Sequence, residues 1–155
     1  MKKIILCLLL FPLFVFAKEI KYKEWSVIID TDPITDKKST MIFAIDKTKT
    51  KAIDSAALMF NCQGAGLLPS TNYWKDNQDS AIKVIFRVDK EKPIEMEWEL
   101  DKDIVSAKRE DFMNKALQNG KKIVVRAGSN FTRDFTFSLL GYKKAYEHLE
   151  KECAN

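Results

Sequence analysis

Apolar and polar positions alternate most regularly along residues 81–100. Two alternating runs are joined there by the polar stretch 89–93, which contains a proline. Successive side chains of a strand point to opposite faces, so this spacing predicts an antiparallel hairpin with one apolar and one solvated face. The solvated face is basic on the first arm and acidic on the second, and such opposite charges stabilise a strand pair by roughly a few tenths of a kcal/mol each.

Shorter patterns of the same kinds occupy the rest of the chain. Strands are predicted over residues 24–30, 39–46, 56–62, 121–127 and 131–138, with a brief edge strand at 71–74. Apolar residues at helical spacing predict one helix over 108–119 and another from residue 139 or 140 to 152. Ser106 is the expected N-cap of the first helix and Gly120 its stop signal. Residues 63–70 are expected to form a turn followed by a short apolar piece.

This order of elements, βββ(β)ββαββα, indicates an α+β fold in which an antiparallel, β-sandwich-like sheet assembly carries two packed helices. The chain has 155 residues, and it contains no internal repeat, low-complexity tract or linker that would separate a second domain. We therefore expect a single α+β domain over residues 18–155.

Residues 1–17 have the composition of a secretory signal peptide. Lys2 and Lys3 precede an apolar run over 4–16, and Ala17 ends a small-residue cleavage pattern. The run is shorter than the roughly 20 apolar residues that a membrane-spanning helix needs. We expect cleavage after Ala17 and an exported protein that does not span the membrane, periplasmic in a Gram-negative host.

The charge of the chain argues against nucleic-acid binding. Removal of Lys2 and Lys3 lowers the formal net charge from +4 to +2. Lysines and acids alternate throughout, as on a solvated surface, and no basic stripe is interleaved with aromatic residues.

Two cysteines, Cys62 and Cys153, remain once Cys7 leaves with the signal peptide. Two cysteines in an oxidising compartment allow one connectivity, and both fall on inward-facing positions of their predicted elements. A zinc site would lack ligands, since His148 is the only histidine nearby. We expect a structural Cys62–Cys153 disulfide that closes a loop of about 90 residues, to which the chain-entropy description assigns roughly 4–5 kcal/mol.

The order of the motifs resembles that of a known family. The motifs are Trp25, the loop 32–38, the strand ending at Cys62, the segments 85–89, 97–100, 122–125 and 135–142, and the helix ending at Cys153. In this order the chain resembles the VasI/TagO group of small exported proteins associated with type VI secretion, and similar exported proteins of prophages and other bacteria. The resemblance covers nearly the whole mature chain and implies an envelope accessory domain rather than a known reaction.

No catalytic, metal or cofactor site is expected from the residues. His148 has no neighbouring nucleophile signature and is expected to be a surface helix residue. Two groups of closely spaced acids match neither a calcium loop nor a sugar-hydrolysis pair. The first group lies on a strand face and consists of Glu95, Glu97, Glu99, Asp101 and Asp103. The second lies in a loop and consists of Asp30, Asp32 and Asp36. The glycines at 64 and 66 are expected to be turn glycines.

Tyr73 and Trp74 form the candidate binding surface. Adjacent residues of a strand point to opposite faces, so one of these two aromatic rings is expected to be exposed. Exposed aromatic side chains are favoured at binding surfaces.

These observations predict a non-enzymatic periplasmic accessory or binding protein, whose partner is another envelope protein or peptidoglycan. One alternative is an inhibitor of a cell-wall hydrolase or a phage-exclusion factor, with residues 67–75 as the inserting loop. Another is an enzyme acting on the cell wall, which would need paired carboxylates from different strands.

Overall fold

The computed structural model describes residues 17–48, 55–69, 74, 80–108, 111–128 and 133–154, with only the backbone described for 111–114. Within these ranges the elements are β1 (Lys18–Tyr22), β2 (Trp25–Thr31), β3 (Lys38–Ile45), β4 (Ala56–Asn61), β5 (Gly64–Pro69), β6 (Ala81–Val88), β7 (Ile94–Asp101), β8 (Ile104–Lys108), α1 (Asp111–Asn119), β9 (Lys122–Ala127), β10 (Arg133–Ser138) and α2 (Tyr142–Cys153).

The described strands form one antiparallel sheet in the order β1-β2-β3-β4-β5-β8-β7-β6-β9-β10. Strands β1 to β4 each pair with the next strand in sequence, whereas the meander β6-β7-β8 runs back, so that β8 pairs with β5 and β6 with β9. The predicted α+β class, an antiparallel sheet assembly with two helices, is confirmed.

The predicted hairpin is present as β6 and β7. Its register places Ile82 opposite Trp98 and Val84 opposite Met96 on the inner face. On the outer face, Lys83 Nζ lies 2.7 Å from Glu95 Oε1, which is the expected pairing of basic and acidic arms.

A continuous core lies between the inner face of the sheet and α2, which packs against β1, β2 and β3. Its centre is aromatic: the ring of Tyr142 lies 4.8 Å from that of Trp25 and 5.5 Å from that of Phe60, both edge-on. Edge-to-face pairs contribute roughly 0.5–1.5 kcal/mol each beyond the burial of their area. The amphipathic pattern of the last helix therefore fixes where that helix docks.

The far end of the sheet curls round to meet its beginning. Trp25 Nε1 donates a hydrogen bond to the carbonyl oxygen of Ser138 at 2.9 Å, and Asp46 Oδ2 accepts one from Thr136 N at 3.1 Å. We call these contacts of Trp25 and Asp46 with β10 the closed seam. Buried side chains here replace the ladder that β10 and β3 do not form.

Two local predictions were wrong. Residues 64–69 are strand β5 rather than part of a turn, because this segment pairs with β4 on one side and β8 on the other. Ser106 lies inside β8, opposite Gly66 and Glu99, and does not cap the helix. In both places pairing with distant strands outweighs the local preferences of glycine and serine.

The strand at 71–74 falls on residues outside the described ranges, apart from Trp74. The predicted signal peptide lies outside them too, apart from Ala17. Neither described helix has the length and apolar character needed to cross a lipid bilayer.

Candidate binding groove

Strands β7 and β8 pair over only three residues and then separate. The pairing runs from Asp101 opposite Ile104 to Glu99 opposite Ser106. Beyond that point β8 continues beside β5 as far as Lys108, while the earlier residues of β7 stay beside β6. The sheet therefore has a gap between two strands that are neighbours in its order.

A cavity of about 600 Å³ occupies this gap and the adjoining outer face of the sheet. Its apolar lining includes Met41, Met59, Met96 and Ile104, and its polar lining includes Glu97, Glu99, Ser106 and Lys108. We call this cavity the groove. Its volume falls within the range of ligand sites, roughly 300–1,000 Å³.

Gly66 lies beneath two of the apolar side chains. A Cβ atom built on Gly66 would lie 3.1 Å from Met59 Cγ and 3.4 Å from Ile104 Cγ2. Because Gly66 has no side chain, Met59 and Ile104 can pack close to the backbone of β5. Ile104 remains 38% exposed at the edge of this packing.

The β7 side of the groove is acidic. Glu95, Glu97 and Glu99 are exposed on one face of the strand. The hydrogen bond and charge of Glu95 raise the pKa of Lys83, and the charge of Glu97 adds to the same effect. Lys83 therefore neutralises chiefly the Glu95 end of this row, and the Glu97–Glu99 end faces the groove.

Of the two aromatic residues in the predicted binding surface, the structure describes Trp74. Trp74 is 5% exposed and belongs to the core, so its ring does not form a binding surface. The alternation of the sequence does not distinguish the two adjacent rings, and Tyr73 lies outside the described residues.

The two cysteines are paired as predicted. Cys62 Sγ and Cys153 Sγ are 2.03 Å apart, and the Cα atoms are 5.5 Å apart. The bond joins the end of β4 to the end of α2. Gln63, the residue after Cys62, lines the groove, so the disulfide connects one wall of the groove to the helix.

His148 is partly enclosed by its neighbours. Its side chain is 22% exposed; Nδ1 lies 3.1 Å from the hydroxyl of Tyr22, and Nε2 lies 3.8 Å from Glu152 Oε1. His148 is a partly exposed surface residue of α2, and β1 packs along α2 and brings Tyr22 to it. These contacts give His148 a structural role between β1 and α2.

The loop aspartates organise a turn. Asp32 Oδ1 accepts hydrogen bonds from the backbone N–H groups of Ile34 and Thr35, each at 2.8 Å. The bond from Thr35 is the main reason why the pKa of Asp32 is lowered. Within the described part of the chain, no group of three His, Cys, Asp or Glu side chains is arranged to hold a metal ion.

The segment suggested as an inserting loop, residues 67–75, begins inside the sheet. Leu67 and Pro69 belong to β5, and both are buried. Trp74 is also buried, and the remaining residues of the segment lie outside the described ranges. The described part of this segment therefore has no exposed apolar tip.

The groove was not predicted, because its residues come from three separate stretches of the sequence, in β3, in β4 and β5, and in β7 and β8. Met41 and Met59 occupy ordinary outward positions of alternating patterns. The one available signal was the paired glycines at 64 and 66 within an otherwise apolar run.

Neither a protein-family model nor a curated protein sequence matches the chain. Among solved structures, the chain is similar to the crystal structure of invasion associated protein B from Bartonella henselae. The TM-score is 0.62 at 13% identity, and the similarity covers 90% of this chain and 100% of that one. At this identity the likeness establishes a shared fold.

Proposed function

We propose that this chain is an exported binding protein of the bacterial envelope that contacts another envelope protein through the groove and carries out no reaction. The observation that carries the proposal is the pairing of Cys62 with Cys153. Disulfides persist in oxidising compartments and are rare in the cytosol. Together with the signal-peptide composition of residues 1–17, this pairing favours export to the periplasm.

The chemistry of the groove supports binding. Methionine side chains are flexible and polarizable, and they are common on surfaces that adapt to a partner. Met41 and Met59 line the same cavity as the partly exposed Ile104 on the outer face, where covering apolar side chains is favourable.

The resemblance to the VasI/TagO group suggests an accessory of an envelope machine such as the type VI secretion system. The fold shared with invasion associated protein B is compatible with this proposal. Its name associates that protein with invasion, and the likeness extends only the fold to the present chain.

Site-specific photo-crosslinking in the host of origin tests the proposal. A photoreactive residue at Gln63, in the groove, is compared with the same residue at Lys143, exposed on α2. We expect the protein in the periplasmic fraction with both cysteines oxidised, and one dominant protein adduct at position 63 that is missing at 143.

Other results would overturn the proposal. Reduced cysteines in a cytoplasmic protein would remove the argument for export. Recovery of sacculus fragments alone would indicate a glycan ligand, and recovery of a muramidase would favour an inhibitor of cell-wall hydrolysis.

A further inference from the structure

We infer that the groove binds an extended, basic segment of a partner protein, which adds as a strand to the open edge of β7. The inference rests on the proposed binding function and names the chemistry of the partner. Three features of the groove carry it: backbone groups of β7 that no described strand pairs with, an apolar floor and a row of carboxylates.

The direction of the backbone groups follows from a single hydrogen bond. Leu100 N donates to the carbonyl oxygen of Ser80 at 2.9 Å, so the polar backbone groups of Leu100 point towards β6. In an antiparallel strand the N–H and C=O groups of alternate residues point to opposite sides. Those of Glu95 and Glu97 therefore point away from β6, towards the groove.

These groups have no strand beside them within the described chain, since the pairing with β8 ends at Glu99. An unpaired strand edge is a template for an added strand, and its main-chain hydrogen bonds give affinity without regard to sequence. The repeat of donors and acceptors at every second residue matches an extended peptide rather than a compact ligand.

The floor of the groove gives the preference for apolar side chains. Alternate side chains of an added strand would point to the same face. Met59 and Ile104 lie over Gly66, where they can move to accept such a side chain.

The charge of the β7 edge determines the charge of the partner. Glu97 and Glu99 are exposed and line the groove, Lys108 is the one cation in its described lining, and Lys83 lies nearest to Glu95. Opposite charges across a strand pair are favourable and like charges directly opposite are unfavourable. An added strand with lysine or arginine beside Glu97 and Glu99 is therefore favoured over an acidic strand, and over phosphate-bearing ligands.

Fluorescence anisotropy with designed peptides tests this inference. The probe is a labelled eight-residue peptide that alternates lysine with leucine or valine. Three relatives accompany it: one with glutamate in place of lysine, one N-methylated at the lysines, and one N-methylated at the apolar residues. We expect the basic peptide to bind, the acidic peptide not to bind, and one of the two N-methylated peptides to lose binding.

Charge reversal in the groove should have the opposite effects on the two charged peptides. The double variant Glu97→Lys/Glu99→Lys should bind the basic peptide about three- to tenfold more weakly, the range expected from two exposed ion pairs, and should bind the acidic one measurably. The control Glu19→Lys/Glu147→Lys changes the same charge on β1 and α2, and it should leave both affinities unchanged.

Each contrary result removes one part of the inference. Full binding by both N-methylated peptides would exclude strand addition, and equal binding of the acidic peptide would exclude the role of the carboxylates. If no peptide binds while Gln63 still crosslinks to an envelope protein, the partner is not an extended basic segment and the proposed function stands. If the protein is not exported but the basic peptide binds as expected, the proposed function fails and the groove's preference stands.

Discussion

Strand pairing in this sheet is interrupted at two places, and the side chains at the two places differ in kind. At the closed seam, where β10 reaches β2 and β3, Trp25 and Asp46 donate or accept the hydrogen bonds that a ladder would have made. At the groove, β7 and β8 separate after three residue pairs. There methionines and glycines border the gap, and no described side chain bridges it.

The difference suggests a division of roles. The closed seam uses large rings and a buried carboxylate, which hold one arrangement because each polar atom is paired. The groove uses flexible side chains on a strand edge, which can change partner at small cost. The disulfide stands between the two regions, since Cys62 adjoins the groove and Cys153 ends the helix that covers the core.

Removing the disulfide is expected to have the largest effect. Its loop spans a sequence separation of 91, for which chain entropy gives about 4–5 kcal/mol of stability. The variant Cys62→Ser/Cys153→Ser should therefore unfold at much lower urea concentration than the wild type. The wild type in strong reductant is the control and should match the variant; an unchanged midpoint in both would mean that the bond contributes nothing.

Removing the carboxylate of the closed seam should cost less. Asp46 is 2% exposed and accepts hydrogen bonds from Thr48 N at 2.8 Å, Thr48 Oγ1 at 2.6 Å and Thr136 N at 3.1 Å. Asp46→Ala leaves these donors without their acceptor, at a cost of about 2–3 kcal/mol.

Urea unfolding of the Asp46 variant measures that cost, and Asp30→Ala is its control. Asp30 is exposed, and its carboxylate accepts a bond from the adjacent Thr31 N. The control should change stability by less than about 0.5 kcal/mol. Equal losses in the two variants would contradict the assignment of Asp46 to the seam.

The two glycines of β5 allow a direct comparison of rigid and adaptable surroundings. A Cβ on Gly64 would lie 2.0 Å from the carbonyl oxygen of Ala107, which belongs to a neighbouring strand. A Cβ on Gly66 would meet the flexible side chain of Met59 at 3.1 Å. We expect Gly64→Ala to cost about 1–3 kcal/mol and Gly66→Ala less than about 1 kcal/mol. Thermal unfolding of both variants checks this order, and the reverse order would mean that the groove is rigidly packed.

Local patterns predicted those elements whose neighbours are close in sequence. The hairpin of β6 and β7 follows from alternation within 20 residues, and α2 follows from the spacing of Tyr142, Ala145, Tyr146 and Leu149. Gly120 ends α1 as expected. In each case the same short pattern fixes both the element and its buried face.

The other elements depend on pairing between strands that are distant from them in sequence. The GAG start of β5 has the composition of a turn, and Ser106 has that of a helix cap, until β4, β7 and β8 pair with them. The N-terminal strand β1 was missed for the same reason, since it depends on β2. The groove arises where two strands separate. The alternation of apolar and polar residues along a strand does not indicate where its neighbour separates from it.

The smallest expected effect concerns the side of the hairpin opposite to the groove. In the β6–β7 turn, Asp89 Oδ2 accepts a hydrogen bond from Lys121 N at 2.9 Å, and Oδ1 accepts one from Lys122 N at 3.0 Å. The bond from Lys121 is the main reason why the pKa of Asp89 is lowered. These bonds anchor the hairpin to β9 while its other edge remains open.

A carboxylate whose pKa is lowered by folding stabilises the folded state at any pH above the pKa that it has in the unfolded chain. For aspartate that unfolded pKa is near 3.9. The stabilisation is lost as the pH falls through the lower pKa of the folded state. The wild type should therefore exceed Asp89→Asn in stability at pH 7, and the gap should shrink from about pH 4 downwards. Asparagine also tolerates the positive φ of 47° at this position, so the comparison isolates the charge. Urea unfolding across this range measures the gap, with Asp103→Asn as the control for charge alone. A gap that stays constant down to pH 2 would show that the backbone of the turn, and not the ionised Asp89, holds the β6 edge of the hairpin against β9.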